Sequence, residues 1–126
     1  MVMTNLSYKV DSDVVKTEGA NRISRDEWVL PANFGDQPVG TVLSRVTATG
    51  ATSLLAPTAS DGTQNAAAVL LELVKNNAAA QRVVVLRRHA EVVQQALVFP
   101  AGITAPQIAA ALASLEQRGI VARTGV

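Results

Sequence analysis

The amino-acid sequence predicts a mixed α/β fold that is mainly β, in which a compact core carries one C-terminal amphipathic helix and follows an extended N-terminal arm. Three observations predict it. Val83-Val84-Val85-Leu86 is an unbroken apolar run rich in β-branched residues, the pattern of a strand buried on both faces. Thr104 to Gly119 carries the start, stripe and stop signals of a single helix. Residues 1–39 set Asp11, Asp13, Lys16, Glu18, Arg22, Arg25, Asp26 and Glu27 around short apolar clusters broken by Gly19, Pro31, Gly35 and Pro38, so this stretch buries little by itself.

The bulk properties bound the rest. A chain of 126 residues fits one domain, and such a domain buries roughly two thirds of its unfolded surface. The expected division is an arm over residues 1–39 and a core over residues 40–126. Apolar residues make up 48% and charged residues 17%, too apolar for a disordered chain and sparse in charge for a fully wetted surface, so some apolar surface is expected to meet protein. Eleven Lys and Arg against ten Asp and Glu leave a net charge of +1, and aromatics are 3%. That gives neither a field for a polyphosphate backbone nor rings for bases to stack on, so no direct nucleic-acid partner is expected. The absence of cysteine excludes disulfides and thiolate metal sites. No apolar stretch approaches the ~20 residues that span a bilayer, and Thr4, Asn5 and Ser7 interrupt the start where a signal peptide is apolar. The expectation is no membrane partner and synthesis in a cytoplasm.

Along the arm, Tyr8, Val10 and Ser12 alternate with Lys9 and Asp11, and Trp28-Val29-Leu30 runs up to Pro31. Both read as short strands, and an extended segment with unpaired backbone groups is suited to joining a partner's sheet. Thr41 to Val46 reads as a strand, followed by a loop through Gly50 and a second over residues 56–65, where Asp61-Gly62 marks a tight turn. Ala66 to Lys75 is ambiguous by local rules, since Ala, Leu and Glu favour helix while Ala68 to Leu71 fits a buried strand. Arg82 to Arg88 is the clearest strand. In the terminal helix Thr104 and Gln107 form a T-x-x-Q capping box, Pro106 sits in the first turn, and Ile108, Leu112 and Leu115 share one face. Gly119 supplies a left-handed cap after Arg118, and Ile120-Val121-Ala122 return to the sheet.

Chemistry-bearing motifs are scarce. His89 is the single histidine, with Arg87, Arg88 and Glu91 beside it; a small enzyme or ligand-binding domain using these four is the alternative reading, although a lone histidine at a strand end is more often structural. None of the serines stands in a nucleophile elbow, and Asp11-Ser12-Asp13 lacks the glycine and closing glutamate of a calcium loop. The glycines are scattered, so no phosphate cradle is indicated. No catalytic, cofactor-binding or metal-binding residue is expected. Arg87 and Arg88, adjacent on a strand, are expected on opposite faces as solvated or interface charges.

A more specific signal lies in the order of short segments from Ser24 to Arg123, about four fifths of the chain. These are Arg25-Asp26-Glu27 before an apolar segment, Gly40-Thr41-Val42-Leu43, and Ala59-Ser60-Asp61-Gly62-Thr63 leading into Ala66 to Leu73. The strand Val83 to Leu86, Arg88-His89-Ala90-Glu91-Val92, Ala96-Leu97-Val98-Phe99-Pro100, Gly102-Ile103-Thr104-Ala105 and the closing Leu115 to Ile120 follow. In this order and spacing the chain resembles the lambda-type head decoration protein family of tailed bacteriophages. The resemblance implies a non-enzymatic homotrimer with a β-clip-like core that needs no cofactor and makes Ala66 to Leu73 a strand. It implies binding to the outside of the expanded head at local threefold positions, where the protein would hold the shell against the pressure of packed DNA. The N-terminal arm would pair with the major capsid protein, with Tyr8, Val10, Trp28, Val29 and Leu30 as the contacting residues. The working location would be the outer capsid surface of the virion, after synthesis in the bacterial host's cytoplasm. Two departures stand out: residues 88–95 are richer in helix formers than the family's strand and turn, and the first twenty or so residues match nothing specific.

Overall fold

The computed structural model describes residues 10–20 and 23–124. A single helical turn, α1 (Asp11–Val14), opens it; the Val10 N–H donates to the Asp13 carboxylate at 2.9 Å, which satisfies one of the turn's free donors. Eight strands follow: β1 (Val15–Glu18), β2 (Arg25–Leu30), β3 (Val42–Arg45), β4 (Thr52–Leu54), β5 (Ala68–Leu70), β6 (Gln81–Leu86), β7 (Ala90–Val93) and β8 (Ile120–Arg123). Between the last two lie a 3-10 turn (Gln94–Ala96) and the helix α2 (Ala105–Gln117). The fold is mainly β, as the sequence predicts, with its longer helix near the C-terminus.

The strands form two sheets. Five run in the order β2-β6-β5-β3-β4, every neighbour antiparallel. Three run β1-β7-β8, antiparallel between β1 and β7 and parallel between β7 and β8. A parallel pair cannot be joined by a tight turn; α2 provides the crossover it needs. The capping box holds that helix at its start, with the Gln107 N–H on Thr104 Oγ1 at 3.3 Å and the Thr104 N–H on Gln107 Oε1 at 3.0 Å. Gly119 ends it at φ +84°, a conformation that favours glycine, and Ile120 begins β8 directly.

Why the β6 run is continuous is now visible. Val83 and Val85 face a cluster with Trp28, Leu30, Leu43, Ala68 and Leu70, whereas Leu86 and half-buried Val84 face another with Val42, Val69, Ala111, Leu115 and Ile120. The period-two alternation of a strand thus feeds two cores from one sheet. The three-stranded sheet and α2 cover one face. On the other, the edge strands β2 and β4 approach each other without pairing, so the sheet curls around Trp28 and Leu30.

The described part of the expected arm departs from its reading as a free segment. β1 pairs with β7, and β2 pairs with β6 over six positions, from Arg25 opposite Leu86 to Leu30 opposite Gln81. Val14, Trp28, Leu30 and Val39 are buried in the chain's own cores. The Arg25 guanidinium ties the segment together, meeting Glu18 at 2.7 Å and Asp11 at 3.1 Å. Ser24, fully buried, accepts from the Gly19 N–H at 2.8 Å and donates to the His89 carbonyl at 2.9 Å, while its own carbonyl accepts from the Arg87 N–H at 2.7 Å. A local reading saw a polar stretch unable to bury itself; the strands it pairs with lie more than fifty residues away in sequence.

Elsewhere the ambiguous segment resolves as strand, but only over Ala68–Leu70, because the buried slot between β3 and β6 overrides helix propensity. β4 was not anticipated. Gly62, at φ +105°, lets the 56–65 loop close on β3: a Cβ there would meet the Thr47 nitrogen at 2.8 Å and the Arg45 carbonyl oxygen at 2.9 Å. Two outcomes follow from the packing. Trp28→Ala should lose about 3–5 kcal/mol in chemical denaturation, the range for emptying a large buried site. Deleting residues through Pro31 should abolish the cooperative unfolding transition; a folded, sharply melting truncation would refute the integration of β1 and β2.

Candidate functional site

The sequence-predicted contact residues separate by strand alternation. Trp28 (2% exposed) and Leu30 (0%) point into the core, so they cannot reach a partner without unfolding β2, whereas Val29 between them is 50% exposed. That corrects the reading of all three as contact side chains. Val10 is 52% exposed at the start of α1, and Tyr8 lies outside the described residues. Among the described residues, Ile23 at 55%, Leu73 and Leu54 are the other large apolar side chains left exposed.

Val29 borders a groove of about 440 Å³ between β2 and β4, lined also by Glu27, Pro31, Arg45 and Thr52. Among the described residues, each of these strands has one edge without a strand partner. An exposed edge of this kind can accept an added strand from another chain, main chain to main chain, with Val29 offering apolar contact beside it. The polar side chains that line the groove are Glu27, Arg45, Thr49 and Thr52.

The four polar residues of the alternative reading are not assembled into one site. Asp26 takes both arginines, Arg88 at 2.6 Å and Arg87 at 3.4 Å. Adjacent residues reach the same carboxylate because β6 ends at Leu86, so strand alternation no longer governs them; the expectation of opposite faces fails there. Glu91 is engaged by Arg123 at 2.9 Å instead. His89 sits in a left-handed turn at φ +50° with its carbonyl on Ser24, and its side chain is exposed. Among the described residues, no group of three or more His, Cys, Asp or Glu is placed to hold a metal ion. No described helix is long and apolar enough to cross a membrane.

What this arrangement does do is stiffen the end of β6. The hydrogen bond from Arg88 holds the Asp26 carboxyl below its ordinary value, opposed by desolvation and helped by the charges of both arginines. The Trp28 ring lies beneath Arg45, whose guanidinium carbon is 3.8 Å from the ring centroid, with Arg87 at 5.5 Å. Ser24 and Arg45 were missed as structural hubs by sequence reasoning. No local pattern marks either of them, since their partners come from distant strands.

A family model for the bacteriophage lambda head decoration protein D matches residues 6–120. The chain belongs to that family. No curated protein matches it significantly. Membership in a head decoration family fits a surface that, among the described residues, presents strand edges and exposed apolar side chains. It also directs attention to the phage capsid as the surface to which the chain attaches, and to the virion as its place.

The Asp26 pairing has a measurable pH signature. Its carboxyl titrates lower folded than unfolded, so its contribution is present above the unfolded value near 3.8 and is lost as pH falls through the folded one. Asp26→Asn should therefore lower stability by roughly 1 kcal/mol at pH 7, a figure reduced for partial exposure, and the gap to the parent should narrow as pH falls below 3.8. A gap in thermal melts that is constant with pH would show that the charge is not the cause.

Proposed function

We propose that this chain is a cementing protein that binds the outside of the expanded phage head as a homotrimer at local threefold positions. There it would join neighbouring major capsid proteins and hold the shell against internal DNA pressure. The observation that carries the reading is the family match over residues 6–120. A low-charge chain with 48% apolar residues and exposed Val10, Ile23 and Val29 supports it, because such surface gains from being covered.

Attachment in this proposal runs through the leading residues, including Tyr8 and Val10, and through the outward Val29 on β2. Trp28 and Leu30 act from beneath, by holding that strand rigid. Ordering a leading segment on binding costs about 1–2 kcal/mol per residue, so one such contact is weak. A trimer matches the symmetry of a threefold position, and three tethered contacts raise avidity by roughly 10²–10⁴ without a new kind of contact.

Sedimentation with purified expanded heads tests this. The parent chain should co-sediment with expanded heads at occupancies that are multiples of three per threefold position. Removal of residues 1–9, or Val29→Asp, should weaken binding at least tenfold while shifting the melting temperature by only a few degrees. A parent chain that ignores expanded heads would sink the proposal, and equal binding by both variants would remove the assigned contacts.

A further inference from the structure

A second cavity, of about 210 Å³, lies where the end of β3, the end of β6 and the end of α2 converge. It is lined by Arg45, Arg87 and Arg118 with Thr47 and Asn65, and no Asp or Glu lines it among the described residues. We propose that this cavity is a binding site for a small oxyanion, a carboxylate or phosphate group held by the three guanidiniums.

The arginines come from three elements far apart in sequence, so their convergence is a product of the fold. Each has a partner of its own within the fold. Arg118 donates from Nε to the Ala66 carbonyl at 3.0 Å, and Arg87 pairs with Asp26 at 3.4 Å. Arg45 lies against the Trp28 ring, 3.8 Å from its centroid. Its Nε is buried with no hydrogen-bond partner, an uncommon condition for a guanidinium donor. Desolvation first, and then the charge of Arg87, makes its protonated form less favourable than usual, an effect that the charge of Asp26 opposes. A bound oxyanion would offer acceptors to the guanidiniums that line the cavity and offset the repulsion between them.

Trp28 is the chain's single tryptophan, so its fluorescence reports on Arg45 directly. Titrating the full chain with inorganic phosphate or with acetate, against sodium chloride at matched ionic strength, should give a saturable change with at least one oxyanion and none with chloride. Tighter binding of acetate would mark a protein carboxylate as the natural source, and tighter binding of phosphate a phosphate group. Arg118→Gln, which leaves the Arg45–Trp28 stack in place, should weaken the response at least tenfold, while Arg82→Gln, outside the cavity, should leave it intact. If Arg118→Gln misfolds, phosphorus NMR line broadening of phosphate on the parent and on Arg45→Met replaces it. Responses equal to those with chloride, or unchanged when cavity arginines are replaced, would overturn the proposal.

Discussion

The six-position pairing of β2 with β6 is the constraint on which the rest of this fold depends. It places Trp28 and Leu30 inside the curled five-stranded sheet and sets Asp26 beside Arg87 and Arg88. Strand alternation then decides which neighbour faces out. A one-residue slip would bury Val29 and Glu27 and expel the tryptophan, so the register is held by the whole face at once. Ser24 and Arg25 fix the near end of this pairing by hydrogen bonds and ion pairs to three other segments.

This constraint also divides labour between rigid and adaptable parts. The buried side of β2 is fully committed to the chain's own interior, and what that strand leaves outward among the described residues is an edge and Val29. A decoration protein built in this way presents backbone on a stiff support, so little entropy is lost at the edge itself when another chain is added. The ordering penalty then falls on whatever segment docks against it.

Elements whose signals are local were legible in the sequence. The helix was readable because Thr104, Gln107, Pro106 and Gly119 act within a few residues of one another, and β6 because its valines are consecutive. Trp28 was read as a strand residue but as one facing a partner; nothing near it in sequence states that Val83 and Val85 will cover it. Ala68 to Leu70 carried helix propensity, and only its place between β3 and β6 made it strand. The edge β4 was invisible because Thr52-Ser53-Leu54 has no pattern of its own. The arginine cavity was equally hidden, being assembled from residues 45, 87 and 118. The decoration family, by contrast, was legible in the order of weak segments, since order survives where each segment alone is ambiguous.

The same long-range pairing has a consequence for synthesis. β1 and β2 emerge first, yet their partners β7 and β6 follow some fifty to seventy-five residues later. At translation rates of about 5–20 residues per second, the tryptophan-bearing strand waits several seconds on the ribosome with nothing to pair with. Non-local antiparallel topologies of this kind fold slowly, and an unpaired apolar strand is adhesive while it waits. The acidic and basic residues that crowd Lys16 to Glu27 therefore have a use before the native state exists: they keep the nascent segment solvated until its partner arrives.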